Sequence, residues 1–167
     1  MGRIVLTHYY AEGCTPLLNL LKLGEEDRAR LVEDLSRNEG KAYGRFRNPD
    51  WYLLRRAAME KWMHEEFIRL GGRPRTPHPL YFIVGESAFL RTCVGDNCRQ
   101  ITVALDDIPE DTVSFTLGDS LSLYVSETEK KLYTKRMFLE LPDMDGSGRQ
   151  CDNERNFTEA QIWQDHL

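Results

Sequence analysis

The chain has 167 residues, of which 41% are hydrophobic and 29% are charged, a composition that predicts one folded globular domain and excludes a disordered protein. No apolar run approaches the ~18 residues of a membrane span, and the first residues lack the basic and apolar regions of a signal peptide. We therefore expect a cytoplasmic protein without a membrane partner, in which the four cysteines are reduced. The formal net charge of −5 disfavours nucleic acid as a partner.

Residues 1–72 are expected to be mainly helical after an opening strand. The stretch from Arg3 to Tyr10 predicts the strand, with Ile4, Leu6 and His8 on one face. Thr15 followed by proline is a good start for a short helix. The stretch from Glu25 to Arg37 has acidic residues in its first turn and leucines on one side, which predicts a second helix.

The stretch from Trp51 to Leu70 predicts the longest helix, because it begins after a proline and ends at a pair of glycines. Arg55 falls inside an apolar stripe of this helix, which predicts a buried guanidinium paired with a carboxylate or with a ligand phosphate. At 100° per residue, that stripe contains Trp51, Leu54, Ala58, Met59, Trp62 and Leu70.

Residues 73–141 are expected to be mainly strands, because the hydrophobic period changes from helical to alternating after Gly72. Residues 142–167 are expected to form a loop and a C-terminal helix, since Thr158 to Gln161 has the pattern of a capping box. The whole is an α+β domain with N-terminal helices packed on a mostly antiparallel sheet. Its predicted later elements are strands at 80–84, 100–105, 113–117 and 137–141, a hairpin at 95–97 and a short helix from Ser126.

Two carboxylates are candidate catalytic residues because each follows a glycine at the end of an apolar strand. Glu86 ends the run that begins at Pro79, and Asp119 ends the run that begins at Val113. Glycine there allows a sharp turn or the close approach of a ligand. The same pattern also ends ordinary strands, in which case the two acids merely cap turns.

His8, Tyr9 and Arg55 are candidate ligand-binding residues. A histidine can donate or accept a hydrogen bond at neutral pH, and a tyrosine offers an aromatic face with a polar tip, so His8 and Tyr9 suit an adenine or a ribose. Arg55 would hold a phosphate. The alternatives are a hydrogen-bonded histidine at the edge of the core and an arginine in a structural ion pair.

The order of these elements resembles a bacterial family of small cytosolic proteins with no assigned function. The resemblance lies in His8-Tyr9-Tyr10, the helix that runs into Gly71-Gly72, the strand at 79–87, the run at 114–120 and Phe157-Thr158 at the start of the last predicted helix. Leu6 to Tyr10 with the leucine-rich segment after it is also similar to the opening of ADP-ribosyltransferase-like domains. That similarity implies that a histidine on the first strand contacts a nicotinamide dinucleotide, with an aromatic residue stacked on it and Glu86 or Asp119 in the place of the catalytic glutamate.

The stretch from Lys41 to Arg47 interleaves three basic residues with Tyr43 and Phe46, as loops that bind nucleic acid do. A solvated basic loop in an acidic protein is the alternative, and it is favoured here.

Two stretches have spacings typical of metal ligands. Cys93 and Cys98 could supply half of a tetrahedral zinc site, although a pair of free thiols is favoured. Asp143, Asp145, Ser147 and Glu154 occupy ligand positions of a calcium-binding loop, but Pro142 interrupts the helix that should enter it, which favours a glycine-rich surface loop.

Two functions follow from these observations. The first is binding or processing of a nucleotide or NAD-type ligand in a pocket lined by the five candidate residues. The second is a non-catalytic module that interacts with protein or nucleic acid. Convergence of the candidates in one concave pocket would favour the first function, and scatter would favour the second. The reaction, the cofactor and the oligomeric state do not follow from the sequence.

Overall fold

The structure is a computed structural model that describes residues 3–142 and 157–167. The candidate calcium-loop residues Asp143, Asp145, Ser147 and Glu154 lie outside the described residues. The helices are α1 (Glu25–Ser36), α2 (Pro49–Arg69), α3 (Ala88–Val94), α4 (Ser120–Val125) and α5 (Lys135–Leu139). The strands are β1 (Val5–Ala11), β2 (Leu80–Val84), β3 (Cys98–Ala104), β4 (Val113–Leu117), β5 (Tyr133–Thr134) and β6 (Thr158–Ile162). Short 3₁₀ helices cover Leu20–Lys22, Lys41–Arg47, Leu105–Asp107 and Glu110–Thr112.

The strands of the described residues form one sheet in the order β3-β1-β2-β6-β4-β5, and each pair of neighbouring strands is antiparallel. The sheet therefore joins the beginning and the end of the chain in one domain. This confirms the predicted α+β class. No helix among the described residues is long and apolar enough to cross a membrane.

The residues at 158–162 form a strand, and the prediction of a C-terminal helix is wrong. β6 lies between β2 and β4, and all five of its residues are buried. Its side chains alternate, so that Ala160 and Ile162 enter the core on one face of the sheet. The capping-box pattern is only local, and hydrogen bonding to strands on both sides outweighs the helical preference of glutamate, alanine and glutamine.

Four other predicted elements are also corrected. The segment that begins at Thr15 is a turn followed by the 3₁₀ helix Leu20–Lys22, and the prediction of a short helix from Thr15 is wrong. The expected hairpin at 95–97 is the turn between α3 and β3, and β3 pairs with β1 instead of β2. The predicted strand at 137–141 is largely helix α5, and the predicted helix from Ser126 is bent chain after α4. The strands at 80–84 and 113–117 and most of the one at 100–105 are confirmed.

The two faces of the sheet are covered by different elements. On one face, the rings of Phe115 and Phe138 stack at 4.2 Å between centroids, which joins α5 to the core. On the other face, Met63 and Phe67 of α2 pack with the fully buried Trp163. The Trp163 indole donates a hydrogen bond to Ser114 Oγ at 2.8 Å, so its one polar atom is satisfied inside the core.

The buried face of α2 is not the stripe that its tryptophans indicate. Trp51 is 46% exposed and Leu54 is 74% exposed, whereas Tyr52 and Met63, outside the predicted stripe, are buried. The helix follows the predicted bounds closely, but it is rotated by about one residue relative to the predicted stripe. Arg55 consequently lies on the surface, over the ring of Trp51 at 4.6 Å, and the prediction that it is buried is wrong.

Candidate functional site

A cavity of about 380 Å³ lies between the sheet and the helical segments of the first seventy residues. Its volume is within the range of ~300–1,000 Å³ that is usual for small-molecule sites. Three of the candidate residues line it, namely His8, Tyr9 and Asp119, while Arg55 and Glu86 do not. Arg56 and Glu159 line it as well, and sequence reasoning did not select either of them.

A buried carboxylate, Glu60 of α2, organises one side of this cavity. Its side chain is 1% exposed. Oε1 accepts hydrogen bonds from Asn19 Nδ2 at 2.9 Å, Arg56 Nε at 3.0 Å and the Tyr81 hydroxyl at 2.8 Å. Oε2 accepts one from His78 Nδ1 at 2.7 Å. Four donors on separate parts of the chain thus satisfy a charge that would otherwise be too costly to bury.

Arg56 connects this buried carboxylate to the cavity. Its Nη1 donates to the Tyr52 hydroxyl at 2.6 Å, and its guanidinium lies 4.9 Å from the centre of the Tyr81 ring. Burial acts to lower the pKa of Arg56, but the neighbouring Tyr52, Tyr81 and Glu60 outweigh it and raise that pKa. Arg56, whose side chain is 13% exposed, is therefore the carboxylate-paired arginine that was expected at Arg55.

Glu159 of β6 and Asp119, the N-cap of α4, form a second group of polar residues on the cavity wall. Burial, followed by the charge of Asp119, raises the pKa of Glu159 to about 7, although hydrogen bonds from Ser120 and Gln161 oppose the shift. The Gln161 amide donates to Glu159 Oε1 at 3.1 Å. A carboxyl group with such a pKa can give or take a proton near neutral pH.

Asp119 keeps a carboxylate oxygen available while it caps its helix. Oδ1 accepts the Ser122 N–H at 2.7 Å, and Oδ2 has no hydrogen bond among the described residues. The preceding Gly118 has a φ of 111°, in the region that favours glycine, so the chain turns sharply there as predicted.

His8 is held in one neutral tautomer by two backbone groups. Its Nδ1 lies 2.8 Å from the Tyr81 carbonyl, which can only accept, and its Nε2 accepts the Leu17 N–H at 3.2 Å. Burial lowers the pKa of His8, and the bond to the carbonyl opposes this only in part. Leu17 has a φ of 56°, a strained conformation for a leucine that the bond to His8 helps to hold. His8 therefore shapes the cavity wall, and both of its ring nitrogens are already bonded.

The polar atoms of Tyr9 and Glu86 bond to residues that do not line the cavity. The Tyr9 hydroxyl accepts the Ser87 N–H at 2.9 Å. Glu86 is exposed and accepts a hydrogen bond from Gln100 on the edge strand β3 at 3.1 Å. β2 and β4 run in the same direction on either side of β6, but only Asp119 of the two predicted carboxylates reaches the cavity.

The basic segment from Lys41 to Arg47 is a 3₁₀ helix whose rings face inward. Tyr43 and Phe46 are each 9% exposed, and they pack with Tyr52 in the core. They are thus unavailable for stacking on bases, which removes the physical reason for a nucleic-acid surface here.

The two candidate zinc ligands lie on separate elements, with Cys93 buried in α3 and Cys98 at the start of β3. Within residues 3–142 and 157–167, no group of three or more histidine, cysteine, aspartate or glutamate side chains could hold a metal ion.

The buried cluster did have a signal in the sequence. Tyr52, Arg56 and Glu60 follow one another at intervals of four residues, which places them in one row along a helix. Met63 and Phe67 continue on the same side, so this stripe competes with the one that the tryptophans form. Glu159 had no such signal, because its burial depends on β6 lying inside the sheet.

Comparisons with protein-family models, with curated proteins and with solved structures found no match to this chain.

The two adjacent arginines of α2 provide a test of which one is structural. We expect Arg56→Ala to lower the free energy of unfolding by about 3–5 kcal/mol, since it leaves the buried Glu60 charge without its cation. Arg55→Ala should cost less than about 1 kcal/mol, because Arg55 is exposed, lies over the Trp51 ring and has no ion pair with any described residue. Urea unfolding of both variants measures the difference, and equal losses would contradict the assignment.

The raised pKa of Glu159 predicts a pH-dependent stability. Because the folded protein binds the Glu159 proton more tightly than the unfolded chain does, stability falls as the pH rises from the ordinary pKa of 4.5 to about 7. Relative to Glu159→Gln, the wild type should lose on the order of 1–3 kcal/mol between these values. Denaturant unfolding across the range measures this, with the exposed Glu86→Gln as the control. Parallel curves for wild type and Glu159→Gln would refute it.

Proposed function

We propose that this chain binds a small nucleotide-type ligand in the cavity, with Glu159 and Asp119 receiving the hydroxyl groups of its ribose. The observation that carries the proposal is the presence of two neighbouring carboxyl groups on the wall of the same cavity as several aromatic rings. Carboxylate oxygens accept hydroxyl donors well, and the free Oδ2 of Asp119 is suited to that contact.

The aromatic part of the cavity suits the base of such a ligand. Tyr10 lines the cavity and is only half-buried, and its ring stacks with that of His8 at 6.1 Å between centroids. Rings of this kind offer flat apolar surface together with polar hydroxyl tips. His8 belongs to the same wall, where its fixed tautomer supports the shape of the site.

Glu159 takes the role that was expected of Glu86. Its carboxyl group lies in the cavity, whereas Glu86 is on the surface. A carboxylate beside a ribose stabilises positive charge at an oxocarbenium-like carbon, and one with a pKa of about 7 also exchanges protons at neutral pH. Processing of the bound nucleotide, as in the ADP-ribosyltransferase-like domains that the opening strand resembles, would depend on this residue.

Calorimetric titration of ADP-ribose and NAD tests the proposal. We expect saturable heats with the wild type, and an affinity at least about tenfold lower with Asp119→Asn, which removes the charge but retains the helix cap. Glu159→Gln should weaken binding in the same way, while Glu86→Gln, outside the cavity, should bind like the wild type. Absence of saturable heat from the wild type with both compounds would overturn the proposal.

The outer face of α2 favours a second candidate function, self-association of two copies of this chain as an interaction module. The residues on this face follow one another at alternating intervals of four and three, as in the seam of a coiled coil. They are Trp51, Arg55, Ala58, Trp62, Glu65 and Arg69.

Two copies of this stripe are complementary when the two α2 helices pack antiparallel with residue 60 of one helix beside residue 60 of the other. Arg55 then faces Glu65 of the second copy, and the small Ala58 faces the large Trp62. Trp51 faces Arg69, so that a cation meets an aromatic ring. Charge and size therefore favour a second copy of the chain as the partner, and the exposed Leu54 supplies apolar area beside the seam.

Sedimentation velocity tests this candidate with a charge exchange. We expect the wild type to form a two-chain species with rising concentration, Arg55→Glu to be monomeric, and the double variant Arg55→Glu with Glu65→Arg to associate again. Ala58→Glu should also prevent association, while Ala57→Glu, on the same helix but outside the stripe, should not. A wild type that stays monomeric, or a double variant that stays dissociated, would contradict it.

A further inference from the structure

One corner of the cavity is formed by two guanidinium groups that lie close to the same tyrosine ring. The carbon centres of the Arg45 and Arg56 guanidinium groups lie 5.6 Å and 5.8 Å from the centre of the Tyr52 ring. All three residues line the cavity. Arg45 comes from the 3₁₀ helix at Lys41–Arg47 and Arg56 comes from α2, so the corner is built where these two segments pack.

The corner carries an uncompensated positive charge. Glu60 pairs with Arg56, but within the described part of the chain Arg45 has no carboxylate partner, and its Nε donates only to the Ala42 carbonyl at 2.8 Å. Nη2 of Arg56 also makes no hydrogen bond to any described residue. Unused N–H groups thus remain on both arginines.

The surrounding rings hold this corner in place. Phe46 packs edge to face on Tyr52, and Tyr43 contacts Phe46 at 6.5 Å between centroids. The two cations lower the pKa of Tyr52. Burial acts to raise that pKa, but the charges of Arg56 and Arg45 outweigh burial. The corner therefore stabilises negative charge at the position of the Tyr52 hydroxyl.

We propose that Arg45, Tyr52 and Arg56 form the subsite for a phosphate group of the ligand, and that the cavity selects phosphorylated nucleosides over unphosphorylated ones. The subsite deepens the proposed function and rests on it for the position of the ribose. Planar guanidinium groups with free N–H donors match phosphate oxygens, and the tyrosine hydroxyl adds one more donor. The cavity then has a cationic end at this corner and a carboxyl end at Asp119 and Glu159, which fixes the direction of the bound ligand.

Calorimetry with four probes tests the subsite: adenosine, AMP, ADP-ribose and inorganic phosphate. For the wild type we expect AMP and ADP-ribose to bind at least about tenfold more tightly than adenosine. Arg45→Ala should remove most of that advantage and leave adenosine binding unchanged, because Arg45 is exposed at the rim and its loss spares the core. Arg47→Ala is the matched control, since Arg47 is an exposed arginine of the same segment that does not line the cavity.

The outcomes separate the subsite from the proposed function. Equal affinities of the wild type for adenosine and AMP, or equal effects of Arg45→Ala and Arg47→Ala, would overturn the subsite while nucleoside binding stands. Binding of inorganic phosphate that depends on Arg45, with no binding of adenosine, AMP or ADP-ribose, would support the subsite as a site for free phosphate and overturn the proposed function. Binding of none of the four probes would overturn both.

Discussion

The burial of the Glu60 carboxylate is the constraint on which the rest of this structure depends. An ionised side chain that is 1% exposed can be tolerated only when its oxygens are fully hydrogen-bonded and a cation lies beside it. The donors come from the segment before α1, from α2 itself, from the connector after α2 and from β2. A single carboxylate thus fixes the position of the long helix relative to the sheet and to the first turn of the chain.

The cavity follows from the same arrangement. Asn19 is held by Glu60 and by the Pro79 carbonyl, and this places the segment before it against the open part of the sheet. β1 pairs with β2 at Leu6 and Thr7. At the next residue, the Tyr81 carbonyl of β2 is bonded by the side chain of His8 and not by the backbone of β1. The strands therefore separate at the level of the cavity, and the space between them is closed by rings of the helical segments.

A second polar network lies inside the sheet on the side of β6. Gln161 donates to Glu159 and to Thr116 Oγ1, and its own oxygen accepts the Ser114 hydroxyl, which in turn accepts the Trp163 indole N–H. Each polar group in this line has a partner, which is the condition for burying it without a large loss of stability. Glu159 lies at the cavity end of the line, where burial raises its pKa to about 7. The raised pKa of Glu159 thus results from its place in a buried strand, where each polar side chain needs a partner.

Local patterns in the sequence determined the α+β class, the extent of the long helix and the strands at 80–84 and 113–117, because each depends on the spacing of apolar residues within one segment. They also placed Asp119 at a glycine turn that opens on the cavity. The tertiary structure decided which of two competing stripes of α2 is buried, and so decided between Arg55 and Arg56. It also decided that residues 158–162 form a central strand, since only β2 and β4 on either side can satisfy their backbone. The buried face of α2 and the strand at 158–162 both depend on partners distant in the sequence. The spacing of apolar residues within one segment carries no information about such partners.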